Sequence, residues 1–334
     1  MQGIKIIGIG SYVPERAITN EDFTKFIDTS DEWIVTRTGI RERRFSTDKL
    51  TFEMAGEAAK KAVENAGVDV LDIDLILCST CTPDFLFPSC SCLVQNIIGA
   101  KNAACIDTNA ACTGFITALD MARRYLCTGD HKRILVVASE FLTRMLDYED
   151  RGSCFLFGDG AAAVIVEAAD TNYASVLGAE GDPLKSLYCK INYYGKFPME
   201  GFDNTEQGIK DRLDTEQKNK YLQMDGKAVY KFAVDAMSKS VDKVCAKAGV
   251  AVEELDLVIP HQANLRIIQA AMKSMSVPEE KVYVNIERRA NTSSACIPTC
   301  LDELRQAGKL KKGMKICLVG FGAGLTSGAI YFEY

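Results

Sequence analysis

The chain has 334 residues, of which 47% are hydrophobic and 25% are charged, and its formal net charge at pH 7 is −6. This length and composition predict a globular protein of one large or two ordinary domains, and no apolar run approaches the roughly 20 residues of a membrane span. The net negative charge excludes a general attraction to nucleic acid or anionic membranes, so an acidic partner would need a local basic patch.

The first residues and the cysteines bear on the compartment. The opening "MQGIKIIGIGSYVPE" lacks the basic start and the cleavage site of a signal peptide, which favours a cytosolic protein. Thiols stay reduced there, so thirteen cysteines argue for buried thiols, metal ligands or a catalytic thiol and against a disulfide scaffold. A buried, inert thiol is the default interpretation of each cysteine, because free Cys packs as a small hydrophobe.

The second half of the chain repeats the first with a shift of 182 residues. "AGVDVLDIDLIL" (66–77) falls on "AGVAVEELDLVI" (248–259), and an alanine-rich amphipathic segment precedes both. The same shift pairs Asn109 with Asn291, and continues over about 70 residues, which argues for duplication. We therefore expect two similar α/β halves packed as one body, residues 1–172 and 173–334.

Within each half the pattern is helix, strand, loop, short strand, helix, strand, followed by a glycine turn and a last strand. The runs "LDLILCST", "RILVVAS", "LDLVIP" and "KICLVG" are continuously apolar, which is typical of strands covered on both faces. The alternation predicts parallel-type α/β packing. Two segments outside the repeat, 140–156 and the polar 181–226, are expected to shape a binding site.

Cys112, in "DTNAACTGF", is the candidate nucleophile. "AACID" is predicted to be a short strand, "TNAA" a tight turn, and the residues from Cys112 onward a helix that ends at Gly129. The dipole at a helix N-terminus can lower the pKa of a thiol from ~8.5 toward neutrality. The alternative is one more small buried side chain.

A nucleophilic cysteine usually needs a partner, and the chain has only two histidines. His131 is interpreted as a solvated loop residue. His261 directly follows an apolar strand, at the kind of strand end where sites form in such sheets, and is predicted to open a helix. The alternative for His261 is a helix cap. Asn291 is expected to converge with it, and an ordinary N-cap role for Asn291 is compatible with that.

A rival interpretation concerns four thiols with the spacing C-x2-C-x8-C-x-C, namely Cys78, Cys81, Cys90 and Cys92. Such a set could bind zinc or an iron–sulfur cluster. The first pair, however, closes an apolar strand, and the final C-x-C is atypical. Dinucleotide, P-loop and G-x-S-x-G motifs are absent from the sequence, which removes nucleotide-driven chemistry and serine hydrolysis.

Seven motifs occur in the order of one family: "GSYVPE", "DEWIVTRTGIRERR", "NAACTGF", "GDGAAA", "PHQANLRI", "NTSSACIP" and "GFGAGLTSGA". From end to end the chain resembles β-ketoacyl-[acyl-carrier-protein] synthase III, a thiolase-fold condensing enzyme. The resemblance implies an internally duplicated, five-layered α-β-α-β-α fold. It also implies a homodimer that condenses a short acyl-CoA primer with malonyl-[acyl carrier protein], without a metal or redox cofactor.

The resemblance also assigns residues. The catalytic residues are Cys112, His261 and Asn291, and backbone N–H groups of Cys112 and Ala323 form an oxyanion hole. The residues implied for CoA and its pantetheine arm are Trp33, Arg37, Arg151, Lys227 and Asn264. Phe87 matches a residue that closes the partner's acyl pocket, and Lys231, Arg266 and Lys273 match positions facing the carrier protein. For Trp33 a core position is the alternative, and for the three carrier-facing cations ordinary solvated charges.

Several positions depart from the usual family pattern, namely Thr113, Ala323, Ser327 and Lys227, and the 181–226 segment is longer than usual. These departures leave primer choice open. Two other functions are carried as alternatives: a starter-loading or acyl-transfer relative in specialised, polyketide-like metabolism, and a cysteine-rich metal-binding module. The match at Asn291 argues against the relatives that make hydroxymethylglutaryl-CoA.

Overall fold

Two mixed β-sheets form the frame of the molecule in the computed structural model, which describes residues 3–182, 186–189 and 221–334. The strands are β1 (Gly3–Tyr12), β2 (Arg16–Thr19), β3 (Glu42–Phe45), β4 (Leu75–Ser79), β5 (Ala104–Thr108), β6 (Arg133–Glu140), β7 (Gly160–Ala169), β8 (Tyr173–Ala179), β9 (Leu187–Tyr188), β10 (Gln223–Met224), β11 (Leu257–Pro260), β12 (Lys315–Gly322) and β13 (Thr326–Glu333). The helices are α1 (Asn20–Phe23), α2 (Asp31–Thr38), α3 (Thr51–Ala66), α4 (Cys90–Ile98), α5 (Gly114–Thr128), α6 (Gly226–Ala248), α7 (Leu265–Ser274), α8 (Ile286–Arg289) and α9 (Cys296–Gln306).

The four apolar runs named above are strands β4, β6, β11 and β12, as predicted. The first sheet has the order β1-β7-β6-β4-β5 and the second the order β11-β12-β13-β8. The predicted parallel packing is right only at one end of each sheet, where β4 runs parallel to β5 and β6, and β11 to β12. The strands β1, β7, β8 and β13 are antiparallel, and residues 323–325, which join β12 to β13, are too few for a parallel crossover.

The predicted repeat is visible in the sheets, because β1, β7, β6 and β4 have the same order as β8, β13, β12 and β11. One element differs between the halves. The first half has the short strand β5 at one edge of its sheet, whereas the corresponding edge of the second sheet has only an isolated bridge between Val258 and Val282. The prediction of a short strand in the second half is therefore wrong.

The layers follow from which helix faces are apolar. α5 and α9 lie between the two sheets, where Phe115 and Leu119 pack in one buried cluster with Ile297 and Leu301. α3 packs on the outer face of the first sheet, and α6 and α7 pack on the outer face of the second. This is the five-layered α-β-α-β-α arrangement that the resemblance implied. α5 ends at Gly129 in a left-handed conformation, as predicted.

Each middle helix is bonded to the first strand of the opposite half. Asp120 on α5 accepts a hydrogen bond from Ser175 on β8 at 2.5 Å, and Asp302 on α9 accepts one from Ser11 on β1 at 2.6 Å. All four side chains are buried, so each bond satisfies groups that would be costly to leave unpaired. The two bonds hold the halves together around the same central layer.

Among the described residues there is no helix that is both long and apolar enough to cross a membrane. Most of the predicted excursion 181–226 lies outside the described residues, so its role stays a prediction.

Candidate active site

Cys112 lies in a short 3-10 turn, Ala111–Thr113, that joins β5 to α5. Ala111 has a φ of +46°, a left-handed conformation that is rare for a residue with a side chain. Asn109 holds this turn, because its Oδ1 accepts the Ala111 N–H at 3.1 Å. A Cβ at Gly322 would lie 2.8 Å from the Cys112 nitrogen, so only glycine lets β12 approach so closely. The predicted strand–turn–helix is confirmed.

The environment of the thiol differs from the expectation of a lowered pKa. Cys112 is only 8% exposed, and burial raises its pKa to about 12. A hydrogen bond from Ser293 acts in the opposite direction, and the nearby Glu140 carboxylate raises the pKa further. Loss of solvation therefore outweighs the partial charge of the helix end. The thiol is protonated at neutral pH and has to release its proton when a substrate arrives.

His261 follows β11 directly, and its backbone N–H donates to the Val319 carbonyl on β12 at 2.8 Å. The prediction that it opens or caps a helix is wrong, because α7 starts at Leu265 and Asn264 caps it. The imidazole is buried, and burial lowers its pKa to about 3, so the ring is neutral at pH 7. Its Nε2 has no hydrogen-bond partner within the described part of the chain.

Asn291 lies just before the turn Ser293–Ala295, which is the counterpart of the Cys112 turn. Its N–H donates to the Leu156 carbonyl at 3.1 Å, and its Oδ1 accepts the Ser293 N–H at 2.8 Å. This bond closes a turn within the loop, whereas the N-cap position of Ser293–Ala295 is Thr292, so the N-cap interpretation of Asn291 is wrong. Because Oδ1 is occupied, the side-chain donor left for a substrate oxygen is the Nδ2 group.

The three predicted catalytic residues meet at one place. Cys112, His261 and Asn291 all line a small inner cavity of about 120 Å³. Gly226, Tyr230 and Asn264 also line this inner cavity and, in addition, a surface cleft of about 340 Å³. The cleft and the inner cavity thus adjoin, separated by these three shared residues.

A larger cavity of about 630 Å³ also begins at Cys112. Its walls are largely apolar and include Leu142, Met145, Phe85 and Leu86. The predicted excursion 140–156 does shape a binding cavity. Phe87 does not line it, and its side chain points away from the core with 81% exposure.

The residues implied for CoA lie along the entrance. Arg37, Lys227 and Asn264 line the surface cleft, and Asn264 Nδ2 donates to the Arg37 carbonyl at 3.0 Å. The guanidinium of Arg37 lies 4.3 Å from the centre of the Trp33 ring, and that of Arg151 lies 5.2 Å from it. A base stacked between Trp33 and Arg151 needs about 7 Å, twice a contact distance of roughly 3.5 Å. Arg151 would therefore have to move outward to admit one.

The three cations implied for the carrier protein are exposed, with Lys231 on α6 and Arg266 and Lys273 on α7. None of them has an ion-pair partner in the described ranges. Arg266 lines the same surface cleft as Arg37 and Lys227. The implied CoA and carrier sites therefore adjoin at this surface cleft.

Two of the departures from the family pattern have clear positions. Ala323 follows Gly322 and lines the larger cavity beside Cys112. Thr113 is buried, and its hydroxyl bonds to the Ala110 carbonyl at 2.8 Å and to Thr326 at 2.9 Å. Thr113 lines neither cavity that contains Cys112, and its hydroxyl joins the Cys112 turn to β13.

Sequence reasoning missed three polar neighbours of the site. Ser293 lies between two thiols, since it hydrogen-bonds Cys112 and its Oγ is 3.9 Å from Cys81 Sγ. Glu140 is buried at the end of β6, accepts Ser294 Oγ at 2.6 Å, and burial raises its pKa. A carboxylate at the carboxyl end of an apolar strand was the available signal. The third, Cys296, contacts the His261 ring at 2.9 Å.

The four thiols of the rival metal interpretation point in different directions. All four thiols are free. Cys78 is hydrogen-bonded to Cys90 inside the core, whereas Cys92 is exposed and is hydrogen-bonded to Cys105. In the described part of the molecule no group of three or more His, Cys, Asp or Glu side chains is arranged to hold a metal ion.

A duplicated two-sheet fold with Cys112, His261 and Asn291 around one cavity defines a thiolase-fold condensing enzyme. The family model for 3-oxoacyl-[acyl-carrier-protein (ACP)] synthase III matches residues 106–181, and the model for its C terminal matches residues 245–334. β-Ketoacyl-[acyl-carrier-protein] synthase III of Clostridium acetobutylicum is 44% identical, covering 100% of this chain and 99% of that protein. The Fusobacterium nucleatum enzyme of that name is also 44% identical, covering 100% of this chain and 99% of that protein.

The fold comparison agrees. The crystal structure of 3-oxoacyl-[acyl-carrier-protein] synthase III from Aquifex aeolicus VF5 matches with a TM-score of 0.88 and 41% identity, covering 99% of this chain and 100% of that chain. The chain belongs to the β-ketoacyl-[acyl-carrier-protein] synthase III family and is a condensing acyltransferase of fatty-acid synthesis. These relatives do not support the starter-loading alternative from specialised metabolism.

Proposed function

We propose that this enzyme transfers a short acyl group from acyl-CoA to Cys112 and then condenses it with malonyl-[acyl carrier protein]. The products are 3-oxoacyl-[acyl carrier protein], CoA and CO2. The observation that carries the proposal is the convergence of Cys112, His261 and Asn291 on one cavity at the inner end of a cationic cleft.

In the first step the Cys112 sulfur attacks the thioester carbon of acyl-CoA. The bond between the acyl carbon and the CoA sulfur breaks, and the proton of the Cys112 thiol leaves on that sulfur, which gives CoA as its free thiol. The oxyanion that forms in between accepts hydrogen bonds from the backbone N–H groups of Cys112 and Ala323. The close approach of Gly322 to the Cys112 nitrogen supports this pairing of the two segments.

In the second step malonyl-[acyl carrier protein] replaces CoA and loses CO2. Negative charge develops on the thioester oxygen as the enolate forms, and His261 Nε2–H and Asn291 Nδ2–H donate to that oxygen. The neutral imidazole and the unpartnered Nε2 support this role for His261. The enolate carbon then attacks the acyl carbon on Cys112, and the released thiolate takes up a proton. No metal or redox cofactor enters the balance.

The entrance is assigned to the two carriers. Arg37, Lys227 and Asn264 bind the phosphates and pantetheine arm of CoA, while Trp33 and Arg151 stack on its adenine. Lys231, Arg266 and Lys273 attract the acidic carrier protein. The position of Arg37, Lys227 and Asn264 in the surface cleft supports the CoA roles. The exposure of Lys231, Arg266 and Lys273, and the absence of ion-pair partners for them in the described chain, support the carrier role.

We also propose a cytosolic homodimer. Three consecutive apolar side chains, Phe85, Leu86 and Phe87, are exposed in one loop, and a partner subunit would cover them. Phe87 would then close the acyl cavity of the partner and restrict primers to short chains. The thirteen cysteines are all free, which supports a reducing compartment.

Intact-mass analysis after incubation with a panel of acyl-CoAs tests this proposal. We expect one acyl group per chain, localised by peptide mapping to Cys112, with the highest occupancy for short primers. Malonyl-[acyl carrier protein] should then remove the acyl group with release of CO2. Cys112→Ser should take up no acyl group, and Cys127→Ser, at an exposed cysteine, should behave like the native enzyme. Acyl removal without CO2 release would refute condensation.

A further inference from the structure

The ring of His261 has one side-chain hydrogen-bond partner in the described chain, the sulfur of Cys296. The distance from Nδ1 to Sγ is 2.9 Å, and both residues are buried. Cys296 is the first residue of α9, so helix geometry fixes where its side chain points. The other ring nitrogen, Nε2, is buried and unpartnered in that same part of the chain.

The direction of this hydrogen bond decides which nitrogen carries the proton. The backbone N–H of Gln262 donates to the same sulfur at 3.4 Å, so Sγ already acts as an acceptor. Burial raises the pKa of the Cys296 thiol and lowers that of His261, so both groups are neutral. A neutral thiol has one proton to donate, and Nδ1 is the acceptor at 2.9 Å.

We infer that Cys296 is a positioning residue whose S–H donates to Nδ1 and holds His261 as the Nε2–H tautomer. The donor then faces the inner cavity that Cys112 and Asn291 also line. The opposite tautomer would present a lone pair there, which repels a developing enolate oxygen. The role of the tautomer in stabilising the enolate rests on the proposed function. The tautomer itself can be measured without any substrate.

The internal repeat provides independent support. The shift that pairs Ser79 with His261 also pairs Gly114 with Cys296. In the first half a Cβ on Gly114 would collide with the hydroxyl of Ser79, so these two positions are neighbours in both halves. A side chain fills the helix-start position only in the half where a histidine follows the strand. The thiol therefore lies at a position of the repeat that adjoins the end of the strand and, in the second half, contacts the ring.

Nuclear magnetic resonance can read the tautomer directly. The enzyme has two histidines, so protein labelled with 15N-histidine gives two sets of long-range proton–nitrogen correlations, and His131→Gln assigns them. At pH 7 we expect His261 to show the Nε2–H pattern. Cys296→Ser, which keeps a donor, should retain it, and Cys296→Ala should give a mixture of tautomers. A native Nδ1–H pattern, or an unchanged spectrum in Cys296→Ala, would overturn the inference.

Kinetics provide the second readout. Cys296→Ala should slow CO2 release from malonyl-[acyl carrier protein] roughly tenfold, less than the 10²–10³ of a lost donor, because part of the population keeps Nε2–H. Acylation of Cys112 by acyl-CoA should stay near the native rate, and Cys296→Ser should restore CO2 release. Cys300→Ala, which truncates another buried thiol on α9, is the matched control and should leave the His261 spectrum unchanged.

The spectra and the kinetics distinguish failure of the proposed function from failure of the positioning role. If Cys112 takes up no acyl group but the tautomer shifts in Cys296→Ala, the proposed function is wrong and the positioning role stands. If acylation and CO2 release proceed but Cys296→Ala and Cys300→Ala have the same spectrum and rates, the positioning role is refuted.

Discussion

The turn that carries Cys112 and the turn that carries Ser294 have the same backbone and different chemistry. Ala111 and Ser293, which precede them, both have left-handed φ angles, +46° and +49°. In each turn the preceding asparagine accepts that residue's N–H, at 3.1 Å from Asn109 and 2.8 Å from Asn291. A short 3-10 turn leads into a middle helix in both halves.

The side chains at equivalent positions have opposite surroundings. Cys112 opens onto two cavities, whereas Ser294 is buried and bonds to Glu140. Asn109 is exposed and lines the larger cavity, whereas Asn291 is buried and lines the inner cavity. The same strained turn thus occurs twice, and its two copies differ: one places a thiol at two cavities, and the other places a buried hydroxyl against Glu140.

The largest expected effect comes from moving the thiol between the two turns. The double variant Cys112→Ser, Ser294→Cys should lose condensation by at least about 10³-fold, because a thiol at 294 faces Glu140 and reaches no cavity. Intact mass after acyl-CoA treatment and CO2 release measure this. The single Ser294→Cys is the control and should still be acylated at Cys112. Acylation at residue 294 in the double variant would show that the turns are chemically interchangeable.

The two asparagines distinguish a structural role from a catalytic one. Asn291→Ala should lower CO2 release from malonyl-[acyl carrier protein] by roughly 10²–10³, since one donor to the enolate oxygen is lost. Asn109→Ala loses only the bond to Ala111, so we expect about 1 kcal/mol of destabilisation and activity within a few-fold of native. The rate of CO2 release measures the activity of the two variants, and urea unfolding measures their stability. Equal losses of activity would mean that both asparagines act only by holding their turns.

His261 follows β11, and the equivalent position in the first half is Ser79. Only the second half therefore has a titratable side chain at this position. His261 has a pKa of about 3 in the folded protein against 6.5 in the unfolded chain. Between these values the unfolded state binds the extra proton, so stability falls as pH falls below 6.5. The loss should be about 2 kcal/mol by pH 5.

Urea unfolding at pH 7 and pH 5 measures this slope. His261→Gln should lack it, whereas His131→Gln should keep it. Asp159, whose pKa burial raises to about 6, gives a slope of opposite sign, but it is present in all three proteins and cancels in the comparison. An equal slope in native enzyme and His261→Gln would refute the buried neutral imidazole.

Prediction from the sequence succeeded where the signal was local or repeated. Apolar runs identified the strands β4, β6, β11 and β12, and the 182-residue shift paired Asn291 with Asn109. Cys112 was selected as the candidate nucleophile because of its turn, its helix and its repeat counterpart, and that role stays a prediction. The assignments of Trp33, Arg266 and the other entrance residues came from family resemblance and stay predictions.

The remaining features depend on contacts between distant parts of the chain. Glu140 is predicted as the start of an excursion, and its burial follows from Ser294 and Thr82, which donate to it at 2.6 and 2.8 Å. The pKa of Cys112 depends on how completely both halves exclude water from it, which no local pattern encodes. Likewise, nothing near His261 in sequence indicates Cys296. The helix after His261 starts later than predicted because Asn264 is the stronger cap.

The smallest expected effect tests whether the attraction of the carrier protein depends on the cations of α7 in the second half. Lys273→Glu should raise the KM for malonyl-[acyl carrier protein] about fivefold, equivalent to about 1 kcal/mol, and leave acyl-CoA kinetics unchanged. Arg266→Glu should raise both KM values, because Arg266 lines the cleft shared with Arg37 and Lys227. Lys101→Glu, an exposed cation of the first half, should change neither. Both increases should shrink at high salt, since exposed charges are screened. An equal effect of Lys101→Glu would assign the attraction to net charge and not to the cations on α7.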